Sequence, residues 1–399
     1  MKELSKNSVI GVIGAGTMGA GIAQVAAAAG HATILLDTNH TVLQKAEDTL
    51  KATFVKLVEK GKYNTEQASE IISRIKFTSS LMEFGRCDLI IEAIVEDLGV
   101  KQSIFSEIES IVTEDCIIAS NTSSLSITSI AAACHQPQRI IGIHFFNPAP
   151  VMPLVEVIPA ITTNELLTEK IKSLLLSWGK TVVIAKDTPG FIVNRLARSY
   201  YGESIRIHEE GWEGIPAGQN GFATIDWAMK EIGGFKMGPF ELMDLIGNDI
   251  NYKVTETVWT QFFYDARYKP SLTQKRLFEA KRFGKKTGSG YYDYSDSAIK
   301  PEVIMDRALA EKIFIRVISM LINESVDALY LKVASRDDLD SAVKNGVNYP
   351  KGLLQWCDEI GAEKVLNTMV TLHQTYMEER YRPSVLLRKI TAEGKKFYA

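Results

Sequence analysis

One histidine and one carboxylate bracket a proline-rich stretch, Gly142-Ile-His144-Phe-Phe-Asn147-Pro-Ala-Pro-Val-Met-Pro-Leu-Val-Glu156. An imidazole exchanges protons near neutral pH, and a carboxylate beside it fixes its tautomer. A cluster of small polar groups, Asn121-Thr-Ser123-Ser124, lies upstream, and a glycine-rich turn, Gly14-Ala-Gly16-Thr17-Met18-Gly19, opens the chain. A proton acceptor beside a nicotinamide is what oxidation of a secondary alcohol requires. Ser123, His144 and Glu156 also spell a hydrolase triad, but there is no GxSxG elbow and the glycine turn would be left without a purpose. The six histidines are dispersed without paired-ligand spacing, so no metal site is expected.

The elements around these residues follow a doubly wound α/β pattern. An apolar strand, Val9 to Ile13, runs into the glycine turn, an Ala-rich helix (Ala20 to Ala29) follows, and a second strand ends at Asp37. Gly14 allows the tight turn, Gly16 lets backbone approach a pyrophosphate, and Gly19 lets the helix pack close to the strand. The helix N-terminus offers free N–H groups to the phosphates. Asp37 stands where a carboxylate takes the adenosine ribose and repels a 2′-phosphate, which favours NAD over NADP. The strand ending in Glu92-Ala-Ile-Val-Glu96 and the following helix through Lys101 should line the same crevice. The strand ending at Ser120 should join them, and its polar cluster should supply an N-cap for the helix from Ile127. The strand Arg139 to Ile143 then delivers His144 at its C-terminal end.

Residues 41–75 interrupt this pattern with two predicted helices carrying Lys45, Lys51, Lys56, Lys60 and Lys62. A solvated lysine face and a phosphate-rich ligand such as coenzyme A are both open from the residues alone. After Asp187-Thr-Pro-Gly the grammar becomes helical, beginning with one long amphipathic stretch from Ile192 to Glu210. The last hundred residues repeat it. Asn323-Glu324-Ser325 answers Gly202-Glu203-Ser204, Asp340-Ser-Ala342 answers Asp226-Trp-Ala228, and Tyr381-Arg-Pro-Ser384 answers Tyr268-Lys-Pro-Ser271. In the second copy Ile315 takes the place of Asn194, and the chain ends without a TGSGYY segment, so this copy is expected to be structural. The expected domains are 1–187 (with the 41–75 insertion), 188–296, and a degenerate copy at 307–399. Seven extra residues in the first copy fall in the loop 211–221. This is either a tolerated surface insertion, the simpler reading, or a flap whose Trp212 or Phe222 shapes an acyl pocket.

Composition narrows the function classes. A formal net charge of −3 over 399 residues, with no long basic run, argues against a nucleic-acid surface. No apolar run approaches a membrane span, and no leader peptide is recognisable. Four cysteines without CxxC spacing fit buried thiols in a reducing compartment, so a cytoplasmic location is expected.

The motifs GAGTMGAGIAQVAA, EAIVED, SNTSS, HFFNPAPVMPLVEV, DTPGFIVNRL and FGKKTGSGYY together resemble the L-3-hydroxyacyl-CoA dehydrogenase family, in order over residues 8–294. The resemblance implies a Rossmann-like domain followed by helical domains, with NAD as cofactor and a short- or medium-chain 3-hydroxyacyl-CoA as substrate. It implies His144 as the acid–base residue, Glu156 as its partner, and Ser123 and Asn194 as substrate contacts. Gly14, Gly16, Thr17, Met18, Gly19, Asp37, Glu96, Lys101, Ser123, Asn147 and Lys286 fall on its NAD-contacting positions. Lys60 falls on its basic coenzyme A contact, with Thr53 where other members place a serine; the remaining lysines stay with the solvated reading.

Single-copy members of the family commonly pair through the helical domain. The second copy on this chain is therefore expected to cover that face internally, giving a monomer or a dimer built on another surface. Two alternatives remain. One is a dicarboxylyl substrate such as 3-hydroxyadipyl-CoA, for which Arg195, Arg198 and Arg206 are candidate cations. The other is a non-catalytic NAD- or CoA-binding protein of the same fold, against which the intact constellation argues.

Overall fold

Short buried apolar runs set the first half of the chain. The computed structural model describes residues 4–398, and the chain divides into two units between Phe191 and Ile192. The first holds β1 (Ile10–Ile13), β2 (Thr33–Leu36), β3 (Ile75–Thr78), β4 (Leu89–Glu92), β5 (Ile117–Ser120), β6 (Ile140–Phe145), β7 (Leu154–Pro159) and β8 (Thr181–Ile184). They form one sheet in the order β3-β2-β1-β4-β5-β6-β7-β8. All neighbours are parallel except β6 and β7, which run antiparallel. Strands β1, β2, β4 and β5 are buried along their whole length. That is why they read as continuous apolar runs instead of alternating ones.

The connecting helices are α1 (Thr17–Ala28), α2 (His40–Glu59), α3 (Thr65–Ser73), α4 (Leu98–Ile111), α5 (Ile127–Ala131) and α6 (Glu165–Ser177). The chain reverses direction across the sheet between β1 and β4, so a crevice opens beyond their carboxyl ends, the place where such sheets take ligands. Glu92, Ser120 and His144 lie at or near the carboxyl ends of three neighbouring strands, with Gly14 directly beyond β1.

The second unit is helical, and both repeats belong to it. The first repeat contains α7 (Val193–Leu196), α8 (Arg198–Glu209), α9 (Gln219–Gly233), α10 (Pro239–Ile246), α11 (Asn248–Gln261) and α12 (Leu272–Glu279). The second contains α13 (Arg307–Tyr330), α14 (Arg336–Gly346), α15 (Leu353–Ile360), α16 (Ala362–Tyr376) and α17 (Val385–Glu393). The long helix expected from Ile192 to Glu210 is broken at Ala197, whereas its counterpart α13 runs unbroken for 24 residues.

The repeats share detailed devices. Asp226 accepts the N–H groups of Phe240 and Glu241 at the start of α10, and Asp340 accepts those of Leu354 and Gln355 at the start of α15. A Cβ on Gly238 or Gly352 would lie 2.3 or 2.2 Å from those aspartates, so glycine is required at both. The C-terminal end extends the correspondence further than the sequence suggests. Phe397 and Tyr398 donate their N–H groups to Asp358 as Tyr291 and Tyr292 donate theirs to Asp244.

Candidate active site

His144 and Glu156 are cross-strand partners in the antiparallel β6–β7 pair. Directly opposed residues in such a pair point to the same face, so the register itself brings imidazole and carboxylate together. His144 Nδ1 lies 2.7 Å from Glu156 Oε2, with His144 6% exposed and Glu156 fully buried. With Nδ1–H donated to the carboxylate, the Nε2 lone pair is left for chemistry. Phe146 packs on the imidazole at 4.5 Å and Phe191 at 5.9 Å between ring centres, holding its plane. The proline loop between the strands is pinned by Lys180, whose Nζ donates to the carbonyls of Ala149 and Met152.

The polar cluster after β5 is organised by Glu96. One of its oxygens accepts from Thr122 Oγ1 (2.6 Å), the Ser123 and Ser124 N–H groups and Ser124 Oγ (3.0 Å), with Ser123 Oγ at 3.4 Å. Burial works against the charge on Glu96, but Lys101 nearby and these hydrogen bonds hold its carboxyl below the ordinary value. Lys101 is itself 1% exposed, its Nζ bonded to Glu92 Oε1 at 2.6 Å and 3.4 Å from Glu96 Oε2. Glu92 also accepts from Ser120 Oγ at 2.7 Å. Lys101 is thus buried between two carboxylates, Glu92 in the interior and Glu96 toward the surface, and Glu92, which sequence reasoning did not single out, is its anchor. The expected N-cap within Asn121–Ser124 is not found. Ser126 caps α5, and Asp187 clamps the same helix start through the N–H groups of Ile127 and Thr128. Asn121 instead accepts the Phe145 N–H, tying β5 to the strand that carries His144.

The glycine turn fits a dinucleotide. A Cβ on Gly14 would strike the Ala93 carbonyl at 2.6 Å, and one on Gly19 would strike the Gly14 carbonyl at 1.7 Å, so both glycines are demanded by packing. Gly16 faces open space, and no side chain caps α1 there, which leaves its first N–H groups to an incoming phosphate. Thr17 and Met18 follow in the first turn. Asp37 directly follows β2, accepting from the Ala15 and Asn39 N–H groups. From the α1 start a cavity of about 820 Å³ runs between α1 and α2 to the proline loop, lined by Gly16, Thr17, Thr53, Pro150 and Lys180. Lys45 and Lys62, read as solvated from the sequence, also line it, while Lys60 sits exposed at the end of α2. Asn147 is exposed at the head of the proline loop.

In the helical unit Asn194 lies half-buried in α7, and its carbonyl accepts Arg198 Nε at 2.8 Å. Lys286 pairs with Asp249. Of the three candidate cations for a distal carboxylate, Arg195 is buried against Glu324 and Arg206 is held by Glu210 and Glu378; both are satisfied within the unit and are removed from that role. The loop 211–221 is not a free surface insertion. Trp212 lies over the Arg316 guanidinium at 5.0 Å, and Glu213 pairs with Lys312, both on α13 of the second copy. Phe222 belongs to α9 and packs against His208, Phe240 and Tyr291.

Comparison with known proteins decides what this assembly belongs to. Residues 9–188 match the model of the 3-hydroxyacyl-CoA dehydrogenase NAD-binding domain, and residues 190–294 and again 313–397 match that of the 3-hydroxyacyl-CoA dehydrogenase C-terminal domain. The chain belongs to the 3-hydroxyacyl-CoA dehydrogenase family. It is accordingly an NAD-dependent oxidoreductase of 3-hydroxyacyl-CoA thioesters, with a Rossmann-like unit followed by helices.

Among its relatives is a 3-hydroxyadipyl-CoA dehydrogenase of Escherichia coli, 36% identical over 95% of this chain and 96% of that one. Human mitochondrial hydroxyacyl-coenzyme A dehydrogenase is 41% identical over 71% of this chain and 90% of its own. A crystal structure described as 3-hydroxybutyryl-CoA dehydrogenase from E. coli K12 superimposes with a TM-score of 0.90 at 34% identity, covering 98% of this chain and 99% of that one. Among the described residues no helix is long and apolar enough to cross a membrane.

Proposed function

We propose that His144 is the acid–base residue of this dehydrogenase, and the observation that carries it is the 2.7 Å Nδ1 contact to buried Glu156. In oxidation Nε2 takes the proton of the substrate's 3-hydroxyl as the C3–H bond breaks. NAD, when bound, supplies the hydride acceptor. Glu156 orients the ring and stabilises the imidazolium that forms, the division of labour seen in other His–carboxylate pairs. In reduction the same Nε2 returns the proton to the 3-oxo group. Ser123 and Asn194 contact the substrate oxygen, whose negative charge grows toward the transition state from the ketone side. Gly14, Gly16, Thr17, Met18, Gly19, Asp37, Asn147 and Lys286 hold the dinucleotide. Glu96 and Lys101, which the resemblance places among the NAD contacts, also position the 122–124 turn.

Coenzyme A lies along α2 in this reading, with Thr53, Lys45 and Lys62 facing the cavity and Lys60 at its end. The substrate in this reading is a 3-hydroxyacyl-CoA of short or medium chain length, 3-hydroxybutyryl-CoA being the simplest of the class. The dicarboxylyl alternative is supported by the name of the E. coli 3-hydroxyadipyl-CoA relative. The four cysteines are free and buried, which accords with a cytoplasmic protein. The second helical copy takes the place of a two-fold partner. Support comes from buried ion pairs exchanged between the copies, Arg195 with Glu324 and Arg316 with Glu203. A monomer in sedimentation, or a dimer through another surface, is the expected state; a dimer through the first copy's face overturns it.

The test of the chemistry is NADH consumption with acetoacetyl-CoA. His144→Gln should lower kcat about 10²–10⁴-fold. Retention of near-normal kcat in that variant would refute the assignment.

A further inference from the structure

Four arginines in the helical unit, Arg195, Arg267, Arg316 and Arg380, are buried against carboxylates. Arg198 is the exception. It is 7% exposed, yet no Asp or Glu pairs with it among the described residues. Its Nε donates to the Asn194 carbonyl, and its Nη1 to Thr255 Oγ1 at 3.0 Å and the Asn251 carbonyl at 3.4 Å. The guanidinium lies 5.1 Å from the Tyr201 ring centre. Every partner is neutral, and burial holds the group below the ordinary arginine value. A buried cation without a counter-ion is costly, and proteins rarely keep one without use.

Two more polar groups near it are also unmatched. The amide nitrogen of Asn251, whose carbonyl Arg198 reaches, is buried without an acceptor, and so is the hydroxyl of Tyr349, which acts electrostatically on Arg198. A guanidinium without a counter-charge, together with an amide N–H₂ and a hydroxyl without acceptors, is the complement of a carboxylate, which brings negative charge and several lone pairs. The position is apt, because Arg198 is bonded through Nε to the backbone of Asn194 itself. We propose that Arg198 is the specificity residue for a distal carboxylate on the acyl chain, so that the preferred substrate is a dicarboxylyl thioester. This rests on the dehydrogenase reading above, in which Asn194 contacts the substrate. A purely structural role, tying α7 to α11 through their carbonyls, would serve all substrates alike.

The experiment compares kcat/KM of the full chain with NAD for 3-hydroxyadipyl-CoA, its terminal amide, and 3-hydroxyhexanoyl-CoA, which has the same chain length. The wild-type protein should prefer the diacid over both neutral substrates, through KM. Arg198→Gln should lower the diacid-to-hexanoyl ratio about 10²-fold, the order expected when a buried charge pair loses one partner. Arg198→Lys should keep part of the preference. A wild-type protein that does not distinguish diacid from amide overturns the proposal even if the variants fail to fold, and so does an Arg198→Gln protein that slows both acids in proportion. Either result leaves the dehydrogenase standing, whereas turnover of none of the three substrates would refute the dehydrogenase reading itself.

Discussion

The two helical copies differ less in scaffold than in what the scaffold is asked to hold. Each contributes a glutamate that the other copy grips. Glu324 meets Arg195, Arg267 and the Tyr268 hydroxyl, and Glu203 meets Arg316, Arg380 and the Tyr381 hydroxyl. Both keep the aspartate that caps the next helix. Apart from the loop 211–221, they part in the leading helix: the first copy interrupts it at Ala197, three residues after Asn194, while the second runs through Ile315 without interruption. Packing has been retained in duplicate, and the residue proposed to touch substrate exists once. A fold can thus keep a second copy of its packing and let that copy's chemistry lapse, because only burial constrains it.

The largest effect should come from breaking the exchange. Glu324→Ala takes the buried counter-ion from Arg195 and Arg267, leaving them Asp327, and Glu203→Ala takes it from Arg316 and Arg380, leaving Arg316 the more exposed Glu210. Removing one partner of a buried pair costs about 3–5 kcal/mol. Urea unfolding should report losses of that size for both variants, equal within experimental error if the copies are energetic equivalents. No loss in either variant would show that the second copy is a passenger.

Substitution at the matched positions separates the copies by function. Asn194→Ala should lower kcat/KM about 10²–10³-fold, the usual cost of removing a donor to a developing oxyanion. Ile315→Asn, which gives the second copy the residue that the first copy has at this position, should change the rate less than about twofold, because no acid–base pair serves that position. Steady-state kinetics on the two variants checks both, and equal losses would mean that Asn194 acts through folding alone.

How much of this could be read from residues follows the range of the forces involved. Gly14, Gly16 and Gly19, and the strand ends at Glu92, Ser120 and His144, are local consequences of backbone geometry, and the sequence pattern placed them correctly. The His144–Glu156 partnership was legible only through the family resemblance; the antiparallel β6–β7 register that produces the contact was not read from the residues. Nor was Arg195 with Glu324, because the partners are 129 residues apart and only tertiary packing joins them. The cap on α5 was assigned to the wrong polar residues because Glu96, a distant carboxylate, had claimed them. Lys45 and Lys62 looked like any solvated face until α1 and the proline loop closed a cavity beside them.

Acid titration should also tell the copies apart. Burial raises both Asp226 and Asp340, with Asp226 pushed up to about 7 despite hydrogen bonds from Tyr292, Phe240 and Glu241. A carboxyl raised in the folded state binds a proton that the unfolded chain releases. Its stabilisation is therefore full below the unfolded value of 3.8 and lost as pH rises toward 7. Across that window Asp226 should impose a slope of about −1.4 kcal/mol per pH unit, one proton's worth. The difference in stability between wild type and Asp226→Asn should shrink or reverse by pH 8, where the wild-type carboxylate is charged and buried. The Asp340→Asn difference should change over a lower and narrower range.

The smallest effect is expected at the loop that only the first copy possesses. Trp212 stacks on Arg316, the residue that grips Glu203, so the extra residues lie on the joint between copies and cover the second copy's leading helix. A cation–π contact at a partly exposed site contributes about 0.5–1 kcal/mol. Trp212→Ala should lower stability by that amount and leave the ranking of acyl-chain lengths unaltered. A flap over the acyl pocket would behave oppositely, shifting chain-length preference with little change in unfolding. Measuring both on one variant decides whether the insertion arose to seal a duplicated interface, the role its contacts support, or to select substrates.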